Sequence, residues 1–163
     1  MKKMKKSKKE FVALLEENKG IIHKISCLYT SNPADKADLF QDICMQLWRS
    51  HKSFREDARF STWLYRVALN TAISRVRKKK FFDKQEYLDL YYGSGCDSDE
   101  KSKLLFMAIQ KLNKIDRALI LLWLEEKKYE EIADILGISK TNVSVKLVRI
   151  KEKLTEIIKS FEK

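Results

Sequence analysis

A chain of 163 residues makes one domain or two small ones, and this one has a formal charge of +11, 4 Gly, 1 Pro and no apolar run of membrane-spanning length. So few turn formers exclude an irregular all-β fold. The cations select a polyanionic partner, nucleic acid before membrane, because no lipidation motif accompanies them. The charge is unevenly spread, +11 over residues 1–82, −3 over 83–103 and +3 over 104–163.

The opening MKKMKKSKKE looks like a signal n-region, but the following FVALLEENKG has acids where an apolar core should be. No targeting segment is expected, and the lysine run reads as a solvated tail. The first helix is predicted from about Glu10 to Tyr29, with Phe11, Leu14, Leu15, Ile21, Ile22, Ile25, Leu28 and Tyr29 at three- and four-residue steps. Gly20 costs up to ~1 kcal/mol there and allows a break. In Ser31-Asn32-Pro33, Asn32 suits an N-cap and Pro33 the first helical position, with Asp35 favouring the dipole.

The second helix, about 33–51, has an apolar stripe of Leu39, Phe40, Ile43, Cys44, Leu47 and Trp48. Its other face, Asp38, Gln41, Asp42, Met45 and Arg49, is polar and partly acidic. That suits a protein partner, with plain solvated surface as the alternative. Residues 51–61 are too polar for core and end on Ser61 or Thr62 as a helix cap. Phe54 and Phe60 each suit a core plug or a stacking platform.

From Arg59 to Lys80 no acid occurs. At ~100° per residue, Leu64, Tyr65, Ala68, Leu69, Ala72 and Val76 share one side and Trp63, Arg66, Asn70, Ser74 and Arg77 the other. An aromatic ring, guanidiniums, an amide and a hydroxyl on one face suit stacking on bases and pairing with phosphates. A basic surface helix with a half-buried Trp is the plainer alternative.

Residues 83–103 break the pattern with Gly93-Ser94-Gly95 and flanking acids, and read as a flexible acidic linker at a domain boundary. Tyr87, Tyr91 and Tyr92 are more than a spacer needs, so the linker is expected to dock in a complex. Three cysteines without ligand spacing imply reduced thiols in a cytoplasm, Cys27 and Cys44 in the core and Cys96 exposed. No cofactor or metal is expected.

Past the linker, Leu104, Leu105, Ala108, Ile109 and Leu112 mark a short amphipathic helix, and Ile115 to Leu124 is the central helix of a small bundle. In YEEIADILGISKTNVSVKLVRIKEKL, residues 129–154, Ile132, Ala133, Leu136, Ile138, Val143, Leu147, Ile150 and Leu154 supply core. Gly137 stands where a helix-turn-helix needs a left-handed residue, and Ser139 caps the next helix. Thr141, Asn142, Val145, Lys146 and Arg149 lie outward, polar residues first and cations after, as in a recognition helix.

Two blocks in this order resemble one family. RFSTWLYRVALNTAISRVRKK, preceded by DLFQDICMQLW and HKSFRED, resembles region two of bacterial RNA polymerase sigma factors, and residues 129–154 resemble their region four. Size and order are similar to the extracytoplasmic-function (ECF) group. The resemblance implies an all-α fold of two small domains, an N-terminal helical bundle at 10–82 and a C-terminal helix-turn-helix domain at 104–160, joined by the linker. It implies core polymerase binding by Asp38, Gln41, Asp42, Met45 and Gln46, with Leu39 and Trp48 as core. It implies minus-ten DNA binding by Phe54, Arg55, Phe60, Trp63, Arg66, Asn70, Ser74, Arg77 and Lys78, and minus-thirty-five binding by Thr141, Asn142, Lys146 and Arg149. The implied protein is not an enzyme. Its partners are core RNA polymerase, promoter DNA and, in many relatives, an anti-sigma protein, with no membrane insertion.

Departures from the family pattern are Leu112-Asn113 for Leu-Pro, Glu126-Lys127-Lys128 for Gly-Leu-Ser, and Asn142, Ser144 and Val145 for the commoner Thr, Lys and Ser. The alternative to a sigma factor is an autonomous helix-turn-helix regulator of duplex DNA, which leaves Trp63–Lys80 unexplained. A metal-dependent nuclease would need Asp38 and Asp42 as ligands, and an acid patch for a protein partner explains them without a metal.

Overall fold

The computed structural model describes residues 7–55, 57–78 and 99–163, without the side chains of Arg77 and Lys78. The N-terminal lysine run, the tyrosines and Cys96 of 83–98, and the linker assignment there lie outside the described residues. Among the described residues there are seven α-helices, one 3-10 turn and no strand. They divide into two compact units, one formed by the described residues up to 78 and the other by those from 99 on.

The first unit packs α1 (Lys8–Leu28), α2 (Pro33–Ser50) and α3 (Phe60–Lys78) against one another. A capping box opens α1: the Ser7 hydroxyl accepts the Glu10 N–H at 3.3 Å and the Glu10 carboxylate accepts the Ser7 N–H at 2.9 Å. The helix therefore starts before the expected Glu10. It also runs unbroken through Gly20, because burial of Phe11, Ile22, Ile25 and Leu28 on both sides outweighs one glycine.

Asn32 caps α2 as expected, its Oδ1 accepting the Asp35 N–H at 2.8 Å with Pro33 at the first position. Leu39, Ile43 and Leu47 are completely buried against Leu64, Tyr65, Ala68, Leu69 and Ala72 of α3 and the apolar side of α1. Each large aliphatic so buried contributes ~1.5–3 kcal/mol. Three expectations are corrected here. Trp48 is 41 % exposed instead of core. Cys27 and Cys44 are half-buried at the helix margins. Neither Ser61 nor Thr62 caps α3; the helix starts at Phe60, the Arg59 carbonyl accepts the Trp63 N–H at 3.2 Å, and Thr62 is buried in the first turn.

The second unit contains α4 (Glu100–Gln110), α5 (Lys114–Leu124), α6 (Tyr129–Leu136) and α7 (Lys140–Phe161), with α7 packed on the other three. The Asp99 carboxylate accepts the Ser102 N–H at 3.0 Å and starts α4, so Glu100–Lys103 belong to a helix where the sequence suggested linker. Asn113 takes over from the family's proline by capping α5, accepting the N–H groups of Ile115 and Asp116 at 3.1 and 2.9 Å. Arg117 reaches back from α5 to the carbonyls of Gln110 and Leu112, at 2.8 and 3.0 Å, satisfying the end of α4.

Ala108, Leu112, Ala118, Leu119, Leu122, Ile132, Ile135, Val143, Leu147, Ile150 and Leu154 form the core. Ala133, Leu136 and Ile138 are only half-buried, and Ile135 takes the inward place instead. Gly137 is left-handed at φ 67°, ψ 35°; its N–H and that of Ile138 both donate to the Ala133 carbonyl, at 2.9 and 3.1 Å. Ser139 then caps α7 by accepting the Asn142 N–H at 3.1 Å. The helix-turn-helix is thus α6 and α7.

Candidate nucleic-acid interface

The first unit gathers rings from all three helices at one end. Phe11 is the hub, 2 % exposed, with ring centroids 6.0 Å from Trp48, 5.3 Å from His51, 5.8 Å from Phe60 and 6.0 Å from Trp63. Phe54 closes on Phe60 and Trp63, both at 5.4 Å, and Phe60 lies 5.6 Å from Trp63. Phe60 is buried and buttresses the others, while Trp63 and Phe54 are half-exposed and offer ring surface outward. Of the two roles open to each phenylalanine, Phe60 has the plug. Trp63 is a shared case, one edge packed and one presented.

Beyond the rings, Arg66, Asn70 and Ser74 follow along the exposed side of α3, and Arg55 is exposed in the loop before it. Arg77 lies on the last turn of α3, as does Lys78. Between this side of α3 and the facing side of α2 runs an open groove of about 830 Å³. Asp38, Gln41, Asp42, Met45 and Gln46 form one wall and Asn70, Thr71 and Ser74 the other. The sequence reading kept these two faces apart as belonging to different partners; in the fold they confront each other across one channel.

Arg75, which the sequence reading passed over, lies in that groove. It pairs with Asp42 and stands 3.7 Å from Asp38, its side chain only 19 % exposed. A signal existed: Arg75 falls ~60° from the centre of the apolar stripe of α3, apart from Arg66 and Arg77. A cation at the rim of a packed face needs acids on the neighbouring helix, and Asp38 and Asp42 are one turn apart. A guanidinium therefore already stands where a metal between those two carboxylates would have to sit. Phe11 was read as ordinary core; its place at the ring hub depends on where α1 crosses, which periodicity does not report.

In the second unit, Thr141, Asn142 and Arg149 are exposed on α7. Lys146 is partly withdrawn, its Nζ 3.9 Å from an Asp116 carboxylate oxygen on α5. Lys140 pairs with Glu130 at the start of α6, and this hydrogen bond holds the Glu130 carboxyl below its ordinary range. Val145 and Val148 are 44 % and 57 % exposed on the same outward side. Val148 was not among the candidate residues.

The model of Sigma-70 region 2 matches residues 14–82, and that of Sigma-70, region 4 matches residues 102–154. The chain belongs to the sigma-70 family. Within it, several of the relatives are ECF RNA polymerase sigma factors. ECF RNA polymerase sigma factor SigW of Bacillus subtilis is 28 % identical, over 94 % of this chain and 92 % of its own. RNA polymerase sigma factor SigV of the same organism is 26 % identical over 91 % of each. The ECF RNA polymerase sigma-E factor of Escherichia coli is 28 % identical over 80 % of this chain and 78 % of its own.

Among solved structures, the sigma factor RpoE in complex with the anti-sigma factor NepR from Bartonella quintana aligns with TM-score 0.73 at 20 % identity, over 93 % of this chain and 98 % of that one. CnrH, in complex with the cytosolic domain of CnrY, aligns with TM-score 0.70 at 21 % identity, over 94 % of this chain and 90 % of that one. At that identity the likeness speaks for the sigma fold alone. An autonomous helix-turn-helix regulator would explain the second block and leave region 2 without a role, so that alternative is set aside.

Proposed function

We propose that the chain works as a transcription initiation factor whose two units divide a promoter between them, the first holding core RNA polymerase and the opened minus-ten strand and the second the minus-thirty-five duplex. The observation that carries this reading is the groove of the first unit, where an acidic wall on α2 faces a polar wall on α3, the same helix that presents the half-exposed Trp63 one to two turns earlier. Asp38, Gln41, Asp42, Met45 and Gln46 serve the polymerase. Trp63 and Phe54 stack on unpaired bases, an interaction of ~1–3 kcal/mol per base. Asn70 and Ser74 bind base edges, and Arg55, Arg66, Arg77 and Lys78 bind phosphates. Phe60 supports the rings from beneath.

Thr141, Asn142, Lys146 and Arg149 meet the duplex upstream. The chain between the units makes the second contact intramolecular and raises its effective concentration. An initiation factor of this kind performs no bond chemistry itself and works where polymerase works, in the cytoplasm. An anti-sigma protein is a second class of partner, on the model of the solved RpoE structure, which holds the anti-sigma factor NepR.

The test is initiation by core polymerase with and without this protein on a template library. Initiation at promoters that core alone ignores is expected. Failure to bind core, with ordinary duplex binding retained, overturns the reading.

A further inference from the structure

The outward side of α7 is not uniformly polar. Val143, Leu147, Ile150 and Leu154 are buried. The line opposite them on a ~100° wheel runs through Thr141, Val145 and Val148. Val145 and Val148 are 44 % and 57 % exposed, and neither adds to the core. Valine is also a weak helix former beside the Lys or Glu that a solvated face normally carries. An apolar stripe here therefore needs an occupant. One flank says which: Arg149 stands exposed there beside Asn142, with Lys146 behind them, so the occupant is anionic along that edge and apolar at its centre. In the major groove of DNA, phosphates line the edges, and the thymine C5-methyl is the apolar group on the base edges.

We propose that Val145 and Val148 are specificity-determining residues that read the methyl groups of thymines in the upstream element. This rests on the reading of α7 as the duplex-binding helix. Three residues of α-helix rise ~4.5 Å and base pairs are spaced ~3.4 Å, so the two valines address neighbouring base pairs. Thr141 extends the same line by one turn with its own methyl. The contact is dispersion and desolvation only; it distinguishes thymine from cytosine and from uracil without a hydrogen bond.

The experiment uses holoenzyme assembled from the full chain and core polymerase. An upstream element is first selected from randomised duplexes, and each of its thymines is then replaced in turn by deoxyuridine, which lacks only the methyl. Two neighbouring positions are expected to weaken holoenzyme binding about fourfold each, the worth of one buried methyl group. Val145→Ser is expected to abolish the response at one of these positions and Val148→Ser at the other, with helicity unchanged because neither side chain is packed. A selected element indifferent to uracil everywhere overturns the proposal and leaves the sigma reading standing. So does a uracil response that survives in both variants. A loss of core affinity in the variants, with no uracil response in the parent, makes the stripe a polymerase contact and also overturns it. Selection of no upstream element at all removes the duplex-binding reading of α7 and the proposal with it.

Discussion

Phe11 and Trp63 belong to the same ring cluster, yet they call for opposite outcomes when altered. Phe11 is buried among four rings, and Phe11→Ala is expected to destabilise the first unit by ~3–5 kcal/mol, measured by denaturant unfolding. Trp63 keeps one edge outward, so Trp63→Phe should leave unfolding nearly unchanged while weakening capture of a single-stranded or pre-opened template. His23 is a third case. Its ring lies 4.5 Å from that of Phe40, and burial first, then the charges of Lys36 and Lys19, lowers its pKa below 6.5. The folded state thus binds fewer protons at His23 than the unfolded chain does. Its contribution is complete above pH 6.5 and is lost as pH falls through the folded pKa. Stability of the first unit should decline over that acid range, and His23→Gln should flatten the decline; thermal melts of both proteins as a function of pH measure it.

Among the elements, the joint between α5 and α6 combines two unfavourable local choices. Glu126 is left-handed at φ 58°, a conformation that costs a non-glycine residue ~1–2 kcal/mol. Lys128 occupies the N-cap of α6 with extended backbone and no side-chain hydrogen bond. These are the positions where the family pattern has Gly and Ser, and the geometry shows what each would do: one relieves a Cβ clash, the other accepts an orphan N–H. Lys128→Ser should add ~1 kcal/mol and Glu126→Gly a similar or smaller amount, both read as a higher unfolding midpoint of the second unit. Gly20 offers the converse gain, since it is exposed in mid-helix with open space where a Cβ would go, and Gly20→Ala should stabilise by ~0.5–1 kcal/mol. The caps at Asn32 and Ser139, the turn at Gly137 and the stripe of α3 were legible in the sequence because each is set by residues within one or two turns. The start of α4 was missed because Asp99 sits among linker-like residues and only its hydrogen bond marks it as a cap. Trp48 was misjudged for a different reason: a wheel gives the direction of a side chain and not the position of the neighbouring helix that covers it; Arg75 was passed over although the wheel sets it apart from Arg66 and Arg77.

For the whole molecule, the cationic contacts proposed in both units predict steeply salt-dependent DNA binding. Log affinity of the holoenzyme for promoter DNA should fall linearly with log salt concentration, and Arg66→Ala or Arg149→Ala should each reduce the slope by about one. Filter binding or fluorescence titration over a salt series measures it. The groove of the first unit carries this further. Its α2 wall is assigned to polymerase and its α3 wall to the opened strand, while Arg75 of α3 is held by acids of α2. A polymerase that engages Asp38 and Asp42 competes with that guanidinium and changes the charge facing the strand. The two ligands are then thermodynamically linked, and the linkage is reciprocal: the factor by which core tightens strand binding must equal the factor by which strand tightens core binding. Measuring both factors closes a cycle, and Arg75→Met should bring both toward one together. On the proposed assignment of the two walls, the promoter strand is an effector of polymerase assembly as well as its destination.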